Sequence, residues 1–298
     1  MPDLGPATTD ESPDVTVVIP VHGDRGAVVR TLDHLARQRT SRVVEVVVVD
    51  NGDNGDLADL LAERPIRVVA EPQKGSYAAR NRGISVARGA VLAFTDADCL
   101  PRPDWLEGGV TALEANGSGV FVGGHINVVP AVPQRPTLAE VWQLGHDLRQ
   151  DVYVEDLQWS ATASLFVRRA DMERVGVFDG SLESSGDKEW GQRASARGLR
   201  AVYAPDAVID HPARRTMSVL LAKRRRIVRG KAALARSRGV PLYRVSAVRS
   251  LRPLLRDTWR GSASRMPRTY DRVRLLAITA FVQLYQRGYT TYLRRHTQ

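Results

Sequence analysis

The chain has 298 residues, 43% of them hydrophobic, with a formal net charge of +10. That is ordinary for a globular protein with a sizeable core, and the single cysteine, Cys99, excludes an intrachain disulfide and fits a reducing compartment. The charge is uneven: from Ala213 to Gln298, 22 Lys and Arg face 2 Asp and Glu, a net of +20, leaving −10 for residues 1–212. An acidic body with a basic tail is not a uniformly basic polyanion binder. It implies chemistry in the body and contact with an anionic surface through the tail.

In chain order, residues 1–13 lack the basic patch and apolar stretch of a signal peptide and are expected to be a disordered lead-in. "VTVVIPV" (15–21), "VVEVVVVD" (43–50), "IRVVA" (66–70) and "AVLAFTDAD" (90–98) are near-continuous apolar runs, the pattern of parallel strands buried on both faces. Helical patterns separate them at 27–38, 56–63 and 76–89, the last closing at Gly89 as a C-cap. Alternating strands and helices predict a doubly wound α/β sheet with right-handed crossovers. A helix is expected from near Asp104, strands interrupted by glycines over 119–130, and an irregular then helical segment over 131–158. "SATASLFVRRADMERVG" reads as a strand and a helix, and "LRAVYAP" as a strand. From Ala213 the pattern is basic and helical, with breaks at Gly239–Pro241, Pro253 and Gly261. No run reaches the ~20 apolar residues of a membrane span. The nearest, "LLAITAFVQLYQ" at 275–286, is too short and is closed off by Arg274 and Arg287.

Ligands of open α/β sheets bind at the carboxyl ends of the strands. Strand ends here carry "IPVHGD", "VVDNGDNGD" and "TDADC", so Asp50, Asp96 and Asp98 would crowd one edge. Like charges this close repel unless a cation intervenes. A divalent metal takes carboxylate oxygens and could bridge them to a diphosphate. The other reading is a solvated turn, where Asp is common.

The ordered set "VVIPVHGD", "VVVVDNGD" and "KGSYAARNRGISVARGAVLAFTDAD" resembles the family 2 glycosyltransferases of the GT-A fold, over residues 14 to 212. The resemblance implies a Rossmann-like, mixed, mainly parallel sheet flanked by helices. The basic C-terminal helical extension, 213–298, would follow it. It also implies a nucleotide-diphospho-sugar donor (UDP-, GDP- or dTDP-sugar), with Mn2+ or Mg2+ as cofactor. Pro20, Val21 and His22 would line the base and ribose pocket. Asp50 would hydrogen-bond the nucleotide, Lys74 and Gly75 would approach phosphate, and Arg80 would lie near base or diphosphate. Asp96-Ala97-Asp98 matches the family's D-x-D: Asp98 would be the principal metal ligand, and Asp96 would reach the ribose or the metal through water. His211 matches a histidine that completes the metal shell in many GT-A enzymes.

Glycosyl transfer needs a base for the acceptor hydroxyl. In "ESSGDKEWGQRASARG" (183–198), Asp187 falls on the position of the base in the resembled motif G-G-E-D-x-D/E-L/W-x-x-R, with Glu189 as second acid and Arg193 at matching spacing. Gly186 departs from the motif's Glu, and a slipped register would make Glu189 the base. Asp187 also reads as a first-turn partner of a helix dipole. The Gly/Ser-rich "DGSLESSGD" could move over the sugar, while Phe178 and Asp179 read as fold support. Trp159 and Trp190 offer faces for sugar contact or packing; for Trp142 packing is the expectation, as it is for Cys99.

The tail, with Trp259 among its interleaved apolar residues, reads as a contact with an anionic membrane surface. A phosphorylated lipid acceptor, a second subunit or non-specific nucleic acid are the other options. The expectation is an inverting, metal-dependent glycosyltransferase. It would be cytoplasmic or peripheral on the inner face of the plasma membrane, acting on a lipid-linked, cell-wall or other glycan or small-molecule acceptor, with a homodimer as one option. The rivals are a metal-dependent nucleotidyltransferase and a nucleic-acid-binding protein. No G-x-G-x-x-G follows the first strand to support a dinucleotide oxidoreductase.

Overall fold

The computed structural model describes residues 12–52, 57–239 and 269–296. Residues 1–11 of the expected lead-in, the breaks at Pro241, Pro253 and Gly261, and Trp259 lie outside the described residues. By compactness the chain forms two units, the first running to Asn127 and resuming over Arg149–His211, the second made of Val128–Leu148 and Pro212–Gln298.

The first unit is built on strands β1 (Val15–Val21), β2 (Val44–Asp50), β3 (Arg67–Ala70), β4 (Val91–Phe94), β5 (Leu100–Pro101), β6 (Val120–Val129), β7 (Leu165–Arg168) and β8 (Arg200–Pro212). They form one sheet in the order β3-β2-β1-β4-β7-β6-β8-β5. The apolar β-branched runs become its parallel half, β3-β2-β1-β4. Val15, Val17, Val18, Ile19 and Val46 to Val49 are buried there, as strands covered on both faces require. The other half is antiparallel where β4 meets β7, β7 meets β6 and β5 meets β8.

Helices α1 (Arg25–Leu35), α2 (Leu57–Leu60), α3 (Ser76–Val86), α4 (Trp105–Ala115), α6 (Gln150–Glu155), α7 (Arg169–Val175) and α8 (Gly186–Ala196) complete this unit. Helix α1 begins where Asp24 accepts from the Ala27 amide at 2.9 Å, satisfying a donor its first turn leaves open. Helix α3 lies against β1 and β2. A Cβ on Gly83 would meet Val18 Cγ1 at 2.3 Å, so glycine is what permits that approach. Three of the boundaries that differ from expectation have a local packing reason. Helix α3 ends at Val86, and Gly89 instead abuts β1, where a Cβ would meet the Thr16 nitrogen at 2.4 Å. Strand β4 stops at Phe94 because the chain turns: the Cys99 amide donates to the Asp96 carbonyl at 3.1 Å. Strand β6 runs unbroken through Gly123 and Gly124. Bare backbone there leaves room for the side chains of Val154 and Ser160 on one side and Ser164 on the other.

The second unit holds α5 (Leu138–His146), α9 (Met217–Ser237) and α10 (Thr269–His296). Thr137 and Glu140 form a capping box at the start of α5. Trp142, Val141, Leu220, Leu275, Ile278 and Val282 pack into one cluster, each aliphatic residue contributing ~1.5–3 kcal/mol by leaving water. Within this unit Lys223 Nζ pairs with buried Asp147 at 2.7 Å, and Arg224 lies over the Trp142 ring, 4.8 Å from its centroid. Among the described residues no helix is long and apolar enough to cross a membrane.

Candidate active site

The parallel register sets the first part of the site. Val21 pairs with Asp50, so the residues after β1 and β2 emerge side by side. Asn51, buried, ties this corner together. Its amide nitrogen donates to the carbonyls of Glu71 (2.9 Å) and Gln73 (2.7 Å), its carbonyl oxygen accepts from Gly75 N–H (2.9 Å), and its backbone N–H donates to Val21 (2.9 Å). One side chain therefore fixes the path of the Lys74–Gly75 loop against the strand ends. Gly75, at φ +132°, has the backbone freedom this path needs. His22 is exposed, with Nδ1 2.9 Å from the Asn51 carbonyl oxygen. Pro20 and Asp50 are half-buried, Val21 is buried and Lys74 is exposed.

The second part is the turn Asp96-Ala97-Asp98-Cys99. The Thr31 hydroxyl of α1 lies 2.7 Å from the carbonyl oxygens of both Ala97 and Cys99 and shares its proton between them, holding the turn in shape. Antiparallel pairing of Leu100 with Asp210 then brings His211 opposite Cys99. Donor atoms of Asp96, Asp98, Cys99 and His211 all lie within 4.8 Å of one another, and His211 Nε2 is 4.0 Å from Asp98 Oδ1. The Asp98 side chain is 47% exposed and open to a ligand. The Cys99 thiol is fully buried, burial with two neighbouring aspartates pushes its pKa up, and soft sulfur is a poor donor for a hard cation. Two carboxylates and an imidazole remain, a donor set suited to Mg2+ or Mn2+.

Helix α3 joins this turn to the third part. Residues 77, 80 and 81 project along one side of it, at the spacing of neighbours on a helix. Arg80, nearly buried, donates to Asp96 Oδ1 and, at 3.2 Å, to the Ser76 carbonyl. It is thus buried and committed to these two acceptors. Asn81 clamps Phe178 by both backbone groups, donating to its carbonyl (2.8 Å) and accepting from its N–H (3.0 Å). This is the fold support expected of that segment. Tyr77 donates to Asp187 Oδ1 at 3.1 Å.

Asp187 sits in the first turn of α8, behind Ser185, which is left-handed at φ +69°. Its Oδ1 also accepts from Lys188 N–H at 2.9 Å, whereas Oδ2 accepts nothing from the described residues. Burial pushes its pKa up. The Lys188 N–H, the Arg80 charge and the Tyr77 hydroxyl oppose that rise, and the Asp96 charge adds to it. Glu189 differs: both its oxygens accept from Arg193, at 2.9 and 3.1 Å, and Arg193 also caps the carbonyls of Val175, Gly176 and Val177. That pair closes α7 onto α8 and leaves Glu189 no unengaged oxygen.

Of the tryptophans, Trp190 is 1% exposed, wedged between Phe121 and Phe178 with Nε1 donating to Gly176 at 2.8 Å. Its faces are taken by the core, and it offers none to a sugar. Trp159 is half-buried and stacks on Tyr153 at 4.2 Å. Asn51, Tyr77 and Thr31 escaped the sequence reading. The available signals were a polar residue directly after an acid-ended strand, and polar positions three and four apart on α3.

The mixed sheet flanked by helices is the fold of the GT-A glycosyltransferases. The mannosyltransferase PcManGT from Pyrobaculum calidifontis, solved with GDP-Man and Mn2+, matches 100% of this chain and 90% of its own, with TM-score 0.61 and 20% identity. GalNAc-T7, solved with UDP, GalNAc and Mn2+, matches 69% of this chain and 45% of its own, with TM-score 0.54 and 17% identity. In sequence, residues 16–176 match the profile of "Glycosyl transferase family 2". Glycosyltransferase AglE of Haloferax volcanii is 34% identical over 248 residues, 80% of each chain. The pre-mycofactocin glycosyltransferase of Mycobacterium tuberculosis is 28% identical over 222 residues, 71% of this chain and 45% of that protein. The chain belongs to glycosyl transferase family 2 and is a glycosyltransferase enzyme.

Proposed function

We propose that this enzyme moves a sugar from a nucleotide-diphospho-sugar to an acceptor hydroxyl with inversion, and that Asp187 is the base. The observation that carries this reading is the contrast between two acids in one helical turn. Asp187 has one oxygen held by two donors and the other unengaged among the described residues, whereas both oxygens of Glu189 are bound by Arg193. Asp187 Oδ2 takes the acceptor proton while the acceptor oxygen bonds to the anomeric carbon. The bond from that carbon to the diphosphate breaks, and the nucleoside diphosphate leaves. Asp98, Asp96 and His211 would hold a divalent cation, which supplies charge neutralisation at the leaving diphosphate. Mn2+ in the solved neighbours supports this assignment. Arg80 holds Asp96 in place from beneath. The strand ends at Pro20 to His22, Asp50 and the Asn51-anchored Lys74–Gly75 loop form the nucleotide side. The residues of 14–212 outside Val128–Leu148 would carry this chemistry.

The test is a panel of UDP-, GDP- and dTDP-sugars, scored by thermal shift with and without MnCl2 and by the product released. A metal-dependent rise in Tm with one donor class, and nucleoside diphosphate as product, supports the reading. Binding of triphosphates with pyrophosphate release would instead indicate nucleotidyl transfer.

The basic extension from 213 is assigned to an anionic membrane surface, consistent with a lipid-linked acceptor. Tyr270, Val273, Phe281, Leu284 and Tyr292 of α10 are exposed large apolar residues among a net +20 of charge. Co-sedimentation with phosphatidylglycerol vesicles, but not with phosphatidylcholine vesicles, is expected. Equal binding to both, or to neither, would argue against this assignment, and a dimer by light scattering would point to a second copy.

A further inference from the structure

A Cβ placed on Gly186 would lie 2.7, 2.8 and 2.9 Å from Cε2, Cδ2 and Cζ of the Tyr77 ring, closer than carbon atoms approach. The ring is therefore seated flush on the backbone of the residue that precedes Asp187. Its other neighbours are Phe178, with centroids 5.8 Å apart, and the Arg80 guanidinium, 5.6 Å from the ring centroid. Tyr77 is 5% exposed, and its one polar atom is directed at Asp187 Oδ1, 3.1 Å away.

We propose that Tyr77 is a positioning residue for the Asp187 carboxylate, and that residue 186 is glycine so that the phenol can reach it. The inference rests on Asp187 being the base. A carboxylate at a helix start can rotate about its last bond. Two donors on Oδ1, one from the phenol and one from Lys188 N–H, stop that rotation and leave Oδ2 as the only oxygen available to an acceptor proton. The phenol is suited to this because burial and the Asp187 charge push its pKa far up, so it donates at every working pH and never competes as a base. Tyr77 and Arg80 are one turn apart on α3, so the same helix that fixes Asp96 fixes Asp187. The metal-side acid and the base are held to a common ruler. The charged and titratable groups facing Asp187 are Tyr77 and Arg80 from α3 and Asp96 from the turn after β4. Within α8 itself the Lys188 N–H faces it.

The test uses Tyr77→Phe, which keeps the ring and removes only the hydroxyl, with Asp187→Asn to assign the Asp187 signal. Carboxyl 13C NMR titration of the full chain is expected to place the Asp187 midpoint about one pH unit higher in Tyr77→Phe than in wild type, because a donor to the ionised form is lost. Nucleoside diphosphate release from UDP-glucose and GDP-mannose with MnCl2 should show kcat lower by about 10- to 100-fold, KM for donor within about twofold, and the acidic limb displaced upward with the titration. Gly186→Ala should lower kcat to a similar degree by displacing the ring, and Tyr77→Phe should cost nothing further on the Asp187→Asn background. An unchanged midpoint in Tyr77→Phe overturns the inference and leaves the base assignment standing, as does a kcat loss with no displaced limb. Turnover retained by Asp187→Asn would overturn the base assignment itself, and this inference with it.

Discussion

Arg80 and Asp96 are joined side chain to side chain, with the guanidinium 4% exposed and the carboxylate 34% exposed. A buried guanidinium thus anchors Asp96 in the turn after β4 and aims its carboxylate at the rim where Asp98 and His211 converge.

Removing that cation should cost both stability and turnover. Arg80→Met leaves Asp96 without its charged donor, a loss of about 1–3 kcal/mol, and a lower Tm in a thermal melt is the expected result. The variant should also need more MnCl2 for half-maximal activity, since Asp96 is no longer anchored.

Asn51→Ala removes three side-chain hydrogen bonds to backbone groups of residues 71, 73 and 75. The loop that carries Lys74 should lose its fixed path. The donor KM is expected to rise by about tenfold or more with kcat changed less, because binding rather than the chemical step depends on that loop. Steady-state kinetics over a range of donor concentrations separates the two.

Burial keeps the Asp187 carboxyl protonated at pH values where a free aspartate is already ionised. Two consequences have opposite signs. A base works ionised, so kcat/KM should climb with pH through that raised native value. Between the ordinary value and the raised one, the native state holds a proton that the unfolded chain has lost. This group's contribution to stability therefore falls as pH rises across the window. Asp187→Asn removes the ionised carboxylate. Its Tm at neutral pH should equal or exceed that of wild type while turnover is lost, and melts at several pH values check both signs.

In the second unit, Lys223 and Arg224 hold the Asp147 pKa below the ordinary range against the effect of burial. That contribution is present above the ordinary aspartate value and is lost as pH falls through the depressed native one. Asp147→Asn would leave two cations facing each other in a site only 8–15% exposed, a destabilisation of about 3 kcal/mol or more. Thermal melts at neutral pH should register it directly, and Lys223→Met should be milder because Arg224 remains.

The sequence makes some of this legible and hides the rest for physical reasons. Val15–Val21 and Val44–Asp50 announce themselves because strands covered on both faces need uninterrupted apolar residues. Asp96 and Asp98 stand out because like charges at that spacing demand a reason. By contrast, the arrival of His211 beside Asp98 depends on the Leu100–Asp210 register, a non-local pairing that leaves no periodic trace. Asn51 acts through three side-chain hydrogen bonds to a non-local loop and Tyr77 through one, at positions that pattern reasoning treats as loop and helix interior. Trp190 was open to two readings because indole suits a sugar face and a core equally, and only its neighbours Phe121 and Phe178 decide. The unit containing the basic extension also draws in Val128–Leu148, a contribution that charge bookkeeping from Ala213 onward could not reveal.

The most direct measurement is calorimetric titration of the donor, with and without MnCl2, into wild type, Asp98→Ala and Asp187→Asn, alongside turnover of each. Both variants should lose transfer. Asp98→Ala should also lose the metal-dependent part of donor affinity, while Asp187→Asn binds donor as wild type does. Equal loss of donor affinity in both, or residual turnover in Asp187→Asn, would contradict the separation of a metal-side acid from an acceptor-side base.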